Sequence, residues 1–216
     1  MRNSLPVLEF SADLAIGYAS PLARTTSGIS LGAGTHFLLG RNGRGKTTLL
    51  RTIADSLRPL AGSLKKSGTV RFLPENLGFD PYLNAVDILR SLAAPGRLAA
   101  SLKLAREVEL DLEKPYGRLS TGNRRKLHLL VAEFSTPEDQ AALLLLDEPF
   151  SGLDAHAREA FETHWLASSP SILRVVSCHP DYDAMPMASA LVIRDQTLCH
   201  QTAGTQTWSD LKALLN

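Results

Sequence analysis

The apolar residues fall into two kinds of pattern along the chain. Short apolar runs bounded by Gly, Ser or Pro predict strands at residues 7–10, 14–18 and 28–31, and again at 36–39, 70–73, 173–177 and 190–193. Elsewhere the apolar positions recur at helical spacing: Leu49, Leu50, Ile53 and Leu57 share one face, as do Leu98, Leu102, Ala105 and Val108. Residues 141–146 are apolar without interruption, as expected of a strand buried on both faces of a parallel sheet.

Punctuating residues place the boundaries. The first helix ends near Leu57, before Pro59 and Gly62. Asn84 stands where it caps a helix over 85–94, which Pro95-Gly96 terminates; a second runs over about 98–110, and Pro115-Tyr116-Gly117 closes it. Ser120 precedes a helix over 122–134, basic at Arg124, Arg125 and Lys126 and apolar further on. A helix follows Asp154, residues 190–193 and 197–201 read as a hairpin across Asp195-Gln196, and Ser209 begins a short helix. This alternation predicts an α/β fold in one domain over 1–216, with residues 1–75 and 135–216 forming a β subdomain plus an α/β core and 76–134 an inserted helical piece.

Composition adds few constraints. A chain of 216 residues with 44% hydrophobic content can bury a core, which excludes a disordered chain. The 23 basic and 22 acidic residues leave a net charge of +1, so no electrostatic footprint for nucleic acid or anionic lipid is expected. Cys178 and Cys199 match neither a zinc knuckle nor a disulfide framework, and a reducing cytoplasm is the expectation. The first residues lack a secretory signal's apolar stretch, and the longest aliphatic run, 143–146, is far too short to span a bilayer. Membrane association is therefore expected only through a partner.

The candidate chemistry is concentrated in two stretches. Gly40-Arg41-Asn42-Gly43-Arg44-Gly45-Lys46-Thr47 fits the phosphate-cradling pattern G-x-x-x-x-G-K-[ST], with a strand before it and a helix after it. Glycines let backbone N–H groups close around a polyphosphate, and the helix adds the positive end of its dipole. Lys46 is placed to reach the β- and γ-phosphates and the Thr47 hydroxyl to ligate Mg²⁺. The plain alternative is a glycine-rich turn, which does not require lysine and threonine directly after its last glycine. The second stretch is the apolar run ending in Asp147-Glu148: Asp147 suits a Mg²⁺ held through its water shell, and Glu148 a nucleophilic water beyond the γ-phosphate. Two solvated acids at a strand end are the plain reading of that pair.

Over nearly its whole length the sequence resembles the nucleotide-binding subunit of an ATP-binding cassette (ABC) transporter. Leu119-Ser120-Thr121-Gly122-Asn123 stands where that family has Leu-Ser-Gly-Gly-Gln, Asp147-Glu148-Pro149-Phe150-Ser151-Gly152-Leu153-Asp154 follows its acidic motif, and His179 stands where it has a switch histidine. The resemblance implies a phosphate-loop NTPase core with an antiparallel β subdomain and a small helical insertion. It implies ATP and Mg²⁺ as ligands. Tyr18, Gly40, Asn42, Gly43, Gly45, Lys46, Thr47, Thr48, Ser120, Gly122 and Asp154 would bind nucleotide; Thr47, Glu75 and Asp147 would hold the metal; Lys46, Glu148 and His179 would carry catalysis. It further implies a second cassette, identical or paralogous, paired head to tail so that Ser120 meets the nucleotide of the opposite chain and Asp154 crosses the seam. Separate transmembrane permease subunits would hold the pair on the cytoplasmic face of the inner or plasma membrane. Compact cassettes of this kind resemble those of small export systems of the ABC-2 type and the haem or cytochrome-c-biogenesis type. Two alternatives remain open: a soluble ABC ATPase of an assembly or nucleic-acid system, and a hydrolysis-impaired cassette with a binding role.

Several positions depart from the family pattern. Glu75 occupies the position of a glutamine, and adds negative charge near Asp147 and Glu148; it either contacts Mg²⁺ or its water, or is a surface loop residue. Thr121 replaces a glycine and Asn123 a glutamine, leaving Gly122 as the position expected to require glycine. Arg41 and Arg44 are extra cations that either solvate the loop's rim or, at Arg41, touch phosphate. The Arg124, Arg125 and Lys126 run opposes the helix dipole; a solvated face is the default expectation, with a contribution to the second nucleotide face, beside Ser120, as the alternative. His36, His128, His156, His164 and His200 lack metal-ligand spacing and are expected at the surface or packed, with Trp165 and Trp208 in the core or at an edge.

Overall fold

A computed structural model describes residues 5–167, 170–178, 185–204 and 206–215. In chain order the elements are β1 (Val7–Phe10), β2 (Ala15–Gly17), β3 (Pro21–Thr25), β4 (Ile29–Leu31), β5 (Gly34–Gly40), α1 (Lys46–Ile53), β6 (Leu64–Ser67) and β7 (Thr69–Leu73). There follow α2 (Ala85–Leu92), α3 (Leu98–Glu107), a 3₁₀ turn (Tyr116–Arg118), α4 (Thr121–Phe134), β8 (Ala142–Leu146), α5 (Ala155–Leu166), β9 (Ile172–Ser177), β10 (Ser189–Arg194), β11 (Thr197–Thr202) and α6 (Trp208–Ala213).

The apolar runs become the centre of an eight-stranded sheet with the order β2-β3-β11-β10-β5-β9-β8-β7. From β10 to β7 every neighbouring pair is parallel. Every residue of β8 and β9 is buried, which explains why β8 is apolar without alternation and why the polar residues of β9, Arg174 and Ser177, have buried partners. The pleat divides them between two cores. Leu144 and Leu146 face a core shared with α4 and α5, while Leu143 and Leu145 face one shared with α1 and the antiparallel strands. The latter strands form a three-stranded sheet, β4-β1-β6. α2, α3 and α4 pack on one another, and α4 also lies against β7.

The hairpin across Asp195-Gln196 is present, with Arg194 opposite Thr197 and both turn residues at positive φ, the two-residue turn whose twist suits antiparallel strands. Two strands escaped the hydrophobic pattern, β3 (PLART) and β6 (LKKS). β6 is half-buried and basic, and exists because β1 supplies its ladder, with Leu64 opposite Phe10. Three helices are shorter than predicted. α1 stops at Ile53 because Asp55 turns left-handed and the Ser56 and Asp55 N–H groups donate to Arg51 O and Thr52 O. α3 stops at Glu107 in the same way, with Glu109 left-handed and Leu110 N–H donating to Ala105 O. Neither closure uses the glycine that would have marked it in the sequence. α2 ends at Leu92 rather than 94, and Asn84 occupies its N-cap position without a side-chain cap.

Candidate functional site

The carboxyl ends of four adjacent parallel strands, β5, β9, β8 and β7, converge on one edge of the sheet, where open α/β folds place their ligands. β5 delivers Gly40, and the chain turns through Gly43 (φ 75°) and Gly45 (φ 108°) before α1 begins at Lys46. Both angles lie where an L side chain is strained, and a Cβ on Gly45 would also press on Leu22 Cβ at 3.2 Å. The loop therefore opens on a cavity of about 770 Å³.

Tyr18, Asn42, Gly43, Gly45, Lys46, Thr47, Thr48, Glu75 and Glu148, all read from the sequence as site residues, line that cavity together. Gly40 lies beneath it, its carbonyl accepting a 2.9 Å hydrogen bond from Lys46 Nζ. The buried ammonium has Asn42 Oδ1 at 3.5 Å and Glu148 Oε1 at 3.8 Å. Tyr18 is 57% exposed at the mouth, where Arg51 Nη1 donates to its hydroxyl at 3.4 Å.

The acidic strand end is built by a residue the sequence reading missed. Ser177, fully buried at the end of β9, donates to Asp147 Oδ1 at 2.8 Å and accepts from the Glu148 N–H at 2.7 Å. One hydroxyl thus orients the Asp147 carboxylate and ties down Glu148, whose φ of 49° is unusual for a side chain of its size. Asp147 is itself buried behind Glu148 and is not among the cavity-lining residues. Leu22, Ser151 and Gly152 also line the cavity unforeseen. Leu22 sits on β3, a strand the sequence pattern did not disclose; a small polar residue closing an otherwise apolar strand was the one available sign of Ser177.

Ser120, Gly122 and Asp154 are not on the cavity wall. Ser120 caps α4, accepting from Asn123 N–H at 3.2 Å, and is exposed. Gly122 packs so closely on Gly152 that a Cβ there would sit 2.9 Å from Gly152 O, whereas Thr121 begins the helix without positive φ. Asp154 caps α5 through Ala157 N–H at 2.7 Å and pairs with Lys126 Nζ at 2.9 Å, contacts that hold its carboxyl below the usual carboxylate range. His179 lies outside the described residues. The expected solvated face at the start of α4 is corrected: Arg125 and Lys126 are buried, because this turn of the helix faces the acidic site and α5 rather than solvent. Burial draws the Arg125 guanidinium below its ordinary range, opposed by the carboxylates of Glu75, Asp147 and Glu148. Burial also pushes the Cys178 thiol far up, so it stays protonated and inert.

The donor set fits a polyphosphate with a hard cation. A buried ammonium inside a loop of forced left-handed glycines favours an anion, and the Thr47 hydroxyl with the Asp147 and Glu75 carboxylates offers oxygen ligands. Glycine loop, acidic strand end and parallel sheet together define the phosphate-loop class of α/β protein. The family model described as ABC transporter matches residues 28–151, and the chain belongs to that family.

Among its relatives, the cytochrome c biogenesis ATP-binding export protein CcmA of Novosphingobium aromaticivorans is 39% identical over 134 residues, covering 59% of this chain and 66% of that protein. The ABC transporter ATP-binding protein YtrB of Bacillus subtilis is 36% identical over 135 residues, covering 56% and 45%. The chain thus spans from under half to about two thirds of the length of these relatives. Two solved structures share the fold. An ATP-binding subunit of an ABC transporter superposes with a TM-score of 0.72 at 20% identity, over 97% of this chain and 99% of that one. A bacterial Atm1-family ABC exporter with ATP bound gives 0.72 at 16% identity, over 100% and 41%.

Proposed function

We propose that this chain is the ATP-binding and ATP-hydrolysing subunit of a membrane ABC transporter. The observation that carries the reading is the Lys46 ammonium, buried in the glycine loop with the Glu148 carboxylate 3.8 Å away across the same cavity. Both groups face the cavity, so a terminal phosphoryl group entering it would part this ion pair, taking Lys46 as its cation and leaving Glu148 to the attacking water. Family membership and the ATP-binding names of its relatives support the same conclusion.

In this reading Tyr18 stacks on the base, the loop N–H groups of Gly43, Gly45 and Thr48 and the Lys46 ammonium bind the phosphates, and Glu148 orients or deprotonates the water. Thr47, Asp147 and Glu75 hold Mg²⁺, which when bound neutralises phosphate charge and fixes its orientation. His179 contacts the γ-phosphate. Ser120, exposed at the N-terminus of α4 and braced by the Gly122–Gly152 contact, serves the nucleotide of a second cassette. Closure of the pair therefore requires ATP, and hydrolysis removes the charge that holds it. Transmembrane partners supply the transport path in this reading, with this chain on their cytoplasmic side; among the described residues no helix is long and apolar enough to cross a membrane.

The test is a sizing experiment. Glu148→Gln with ATP and Mg²⁺ is expected to run as a dimer and the same sample without nucleotide as a monomer. A multi-span protein is expected to co-purify with the wild type from solubilised membranes. A monomer under every nucleotide condition would count against the shared site, and an exclusively soluble partner against the transporter role.

A further inference from the structure

Arg125 is placed where a cation is costly. It lies just past the first turn of α4, near the positive end of the helix dipole, is 7% exposed, and its Nη1 is buried with no hydrogen-bond acceptor among the described residues. Its neighbours are differently satisfied: Arg124 donates to the Tyr116 and Gly117 carbonyls, and Lys126 pairs with Asp154. The charges that act to favour the Arg125 cation are acidic, Glu75 foremost, then Asp147 and Glu148. α4 packs on β7, Glu75 follows that strand directly and lines the cavity, and Asp147 and Glu148 end the neighbouring strand. Glu75 is the residue hardest to reconcile with a polyphosphate there. It adds a carboxylate to a cavity already flanked by two, with Lys46 the one cation lining it among the described residues.

We propose that Arg125 is the counter-charge of Glu75: the two act as one electrically neutral pair across the contact of α4 with β7, and Arg125 is a positioning residue that makes a carboxylate at position 75 compatible with bound triphosphate. The inference rests on the nucleotide reading of the cavity. Its physical content is a sign rule. Removing Glu75 alone leaves surplus positive charge beside the phosphates and strengthens binding; removing Arg125 alone leaves surplus negative charge and weakens it; removing both restores neutrality.

The experiment is equilibrium titration of the full chain with a fluorescent N-methylanthraniloyl ATP in EDTA, so that no metal intervenes. At an effective dielectric of about 20, a charge on the order of 10 Å from the phosphates, discounted for screening, shifts affinity roughly three- to ten-fold. Glu75→Gln is expected to bind that much tighter, Arg125→Gln that much weaker, and the double variant and Arg125→Lys close to wild type. Shifts in the same direction, or a double variant as weak as Arg125→Gln, would overturn the pair. If Arg125→Gln does not fold, Glu75→Gln decides alone, and unchanged or weaker binding overturns the proposal. A folded wild type that fails to bind the probe both in EDTA and with Mg²⁺ overturns the nucleotide reading instead.

Discussion

Glu148 adopts a left-handed backbone that its side chain disfavours, and it is Ser177 that holds it there. Ser177→Ala leaves both a buried Asp147 oxygen and the Glu148 N–H without their partner, a loss of about 1–3 kcal/mol for each unsatisfied group. ATP turnover is expected to fall about ten-fold or more, with a higher Mg²⁺ requirement for nucleotide binding, while Ser177→Thr keeps both. Steady-state assays across a Mg²⁺ titration check this, and an unchanged Mg²⁺ dependence in Ser177→Ala would argue against a role at Asp147. Gly45→Ala combines a positive φ with pressure on Leu22, and should lower stability by roughly 1–3 kcal/mol in denaturant unfolding. These residues were not equally legible. Lys46 and Thr47 belong to one contiguous stretch whose function is local, so spacing alone exposed them. Leu22 reaches the cavity, and Ser177 the acidic pair beside it, from other strands, and nothing beside them in sequence says so.

At the scale of elements, α4 links the site to the rest of the fold. Near its far end Glu133, fully buried, accepts bidentate hydrogen bonds of 2.8 and 2.7 Å from Arg174 of β9. Burial alone would raise the Glu133 carboxyl, but the Arg174 guanidinium prevails and holds it at about 2. Breaking this pair on one side strands a buried charge. Glu133→Gln is expected to cost about 3–5 kcal/mol, and Glu133→Leu with Arg174→Met distinctly less than either single change, as read from denaturant midpoints.

On the same helix His128 packs against Tyr116, whose hydroxyl lies 2.9 Å from His128 Nε2 and donates to Leu77 O. Burial, reinforced by Arg125 and Arg124, lowers His128 from 6.5 to about 4. The folded chain therefore stays neutral at this position while the unfolded chain takes up a proton near pH 6.5. Stability should fall as the pH drops from about 6.5 to 4, with His36 and His200 adding to the slope. His128→Phe should flatten this limb in urea unfolding measured at stepped pH, and an unaltered limb would remove His128 from the account. Element type was readable from periodicity, but element ends were not: Asp55 and Glu109 close α1 and α3 in a conformation usually reserved for glycine.

At the scale of the whole molecule the parallel part of the large sheet presents its carboxyl ends to the candidate ligand cavity, and stability should depend on what occupies it. ATP at about 100 times its dissociation constant is expected to add roughly 2.7 kcal/mol, seen as a rise in thermal midpoint, and Lys46→Ala should abolish that rise without lowering the nucleotide-free midpoint much. An equal rise in Lys46→Ala would place the nucleotide elsewhere.

The sequence by itself determined the phosphate loop, the acidic strand end, the α/β class and the family, because each is written in contiguous residues whose spacing is their geometry. Only the tertiary structure decided that Ser177 braces Asp147 and Glu148, that Arg125 is buried rather than solvated, and that Glu133 meets Arg174. Those contacts join residues on different strands and helices. The free energy that selects them comes from burial and charge pairing in three dimensions, which no local pattern encodes.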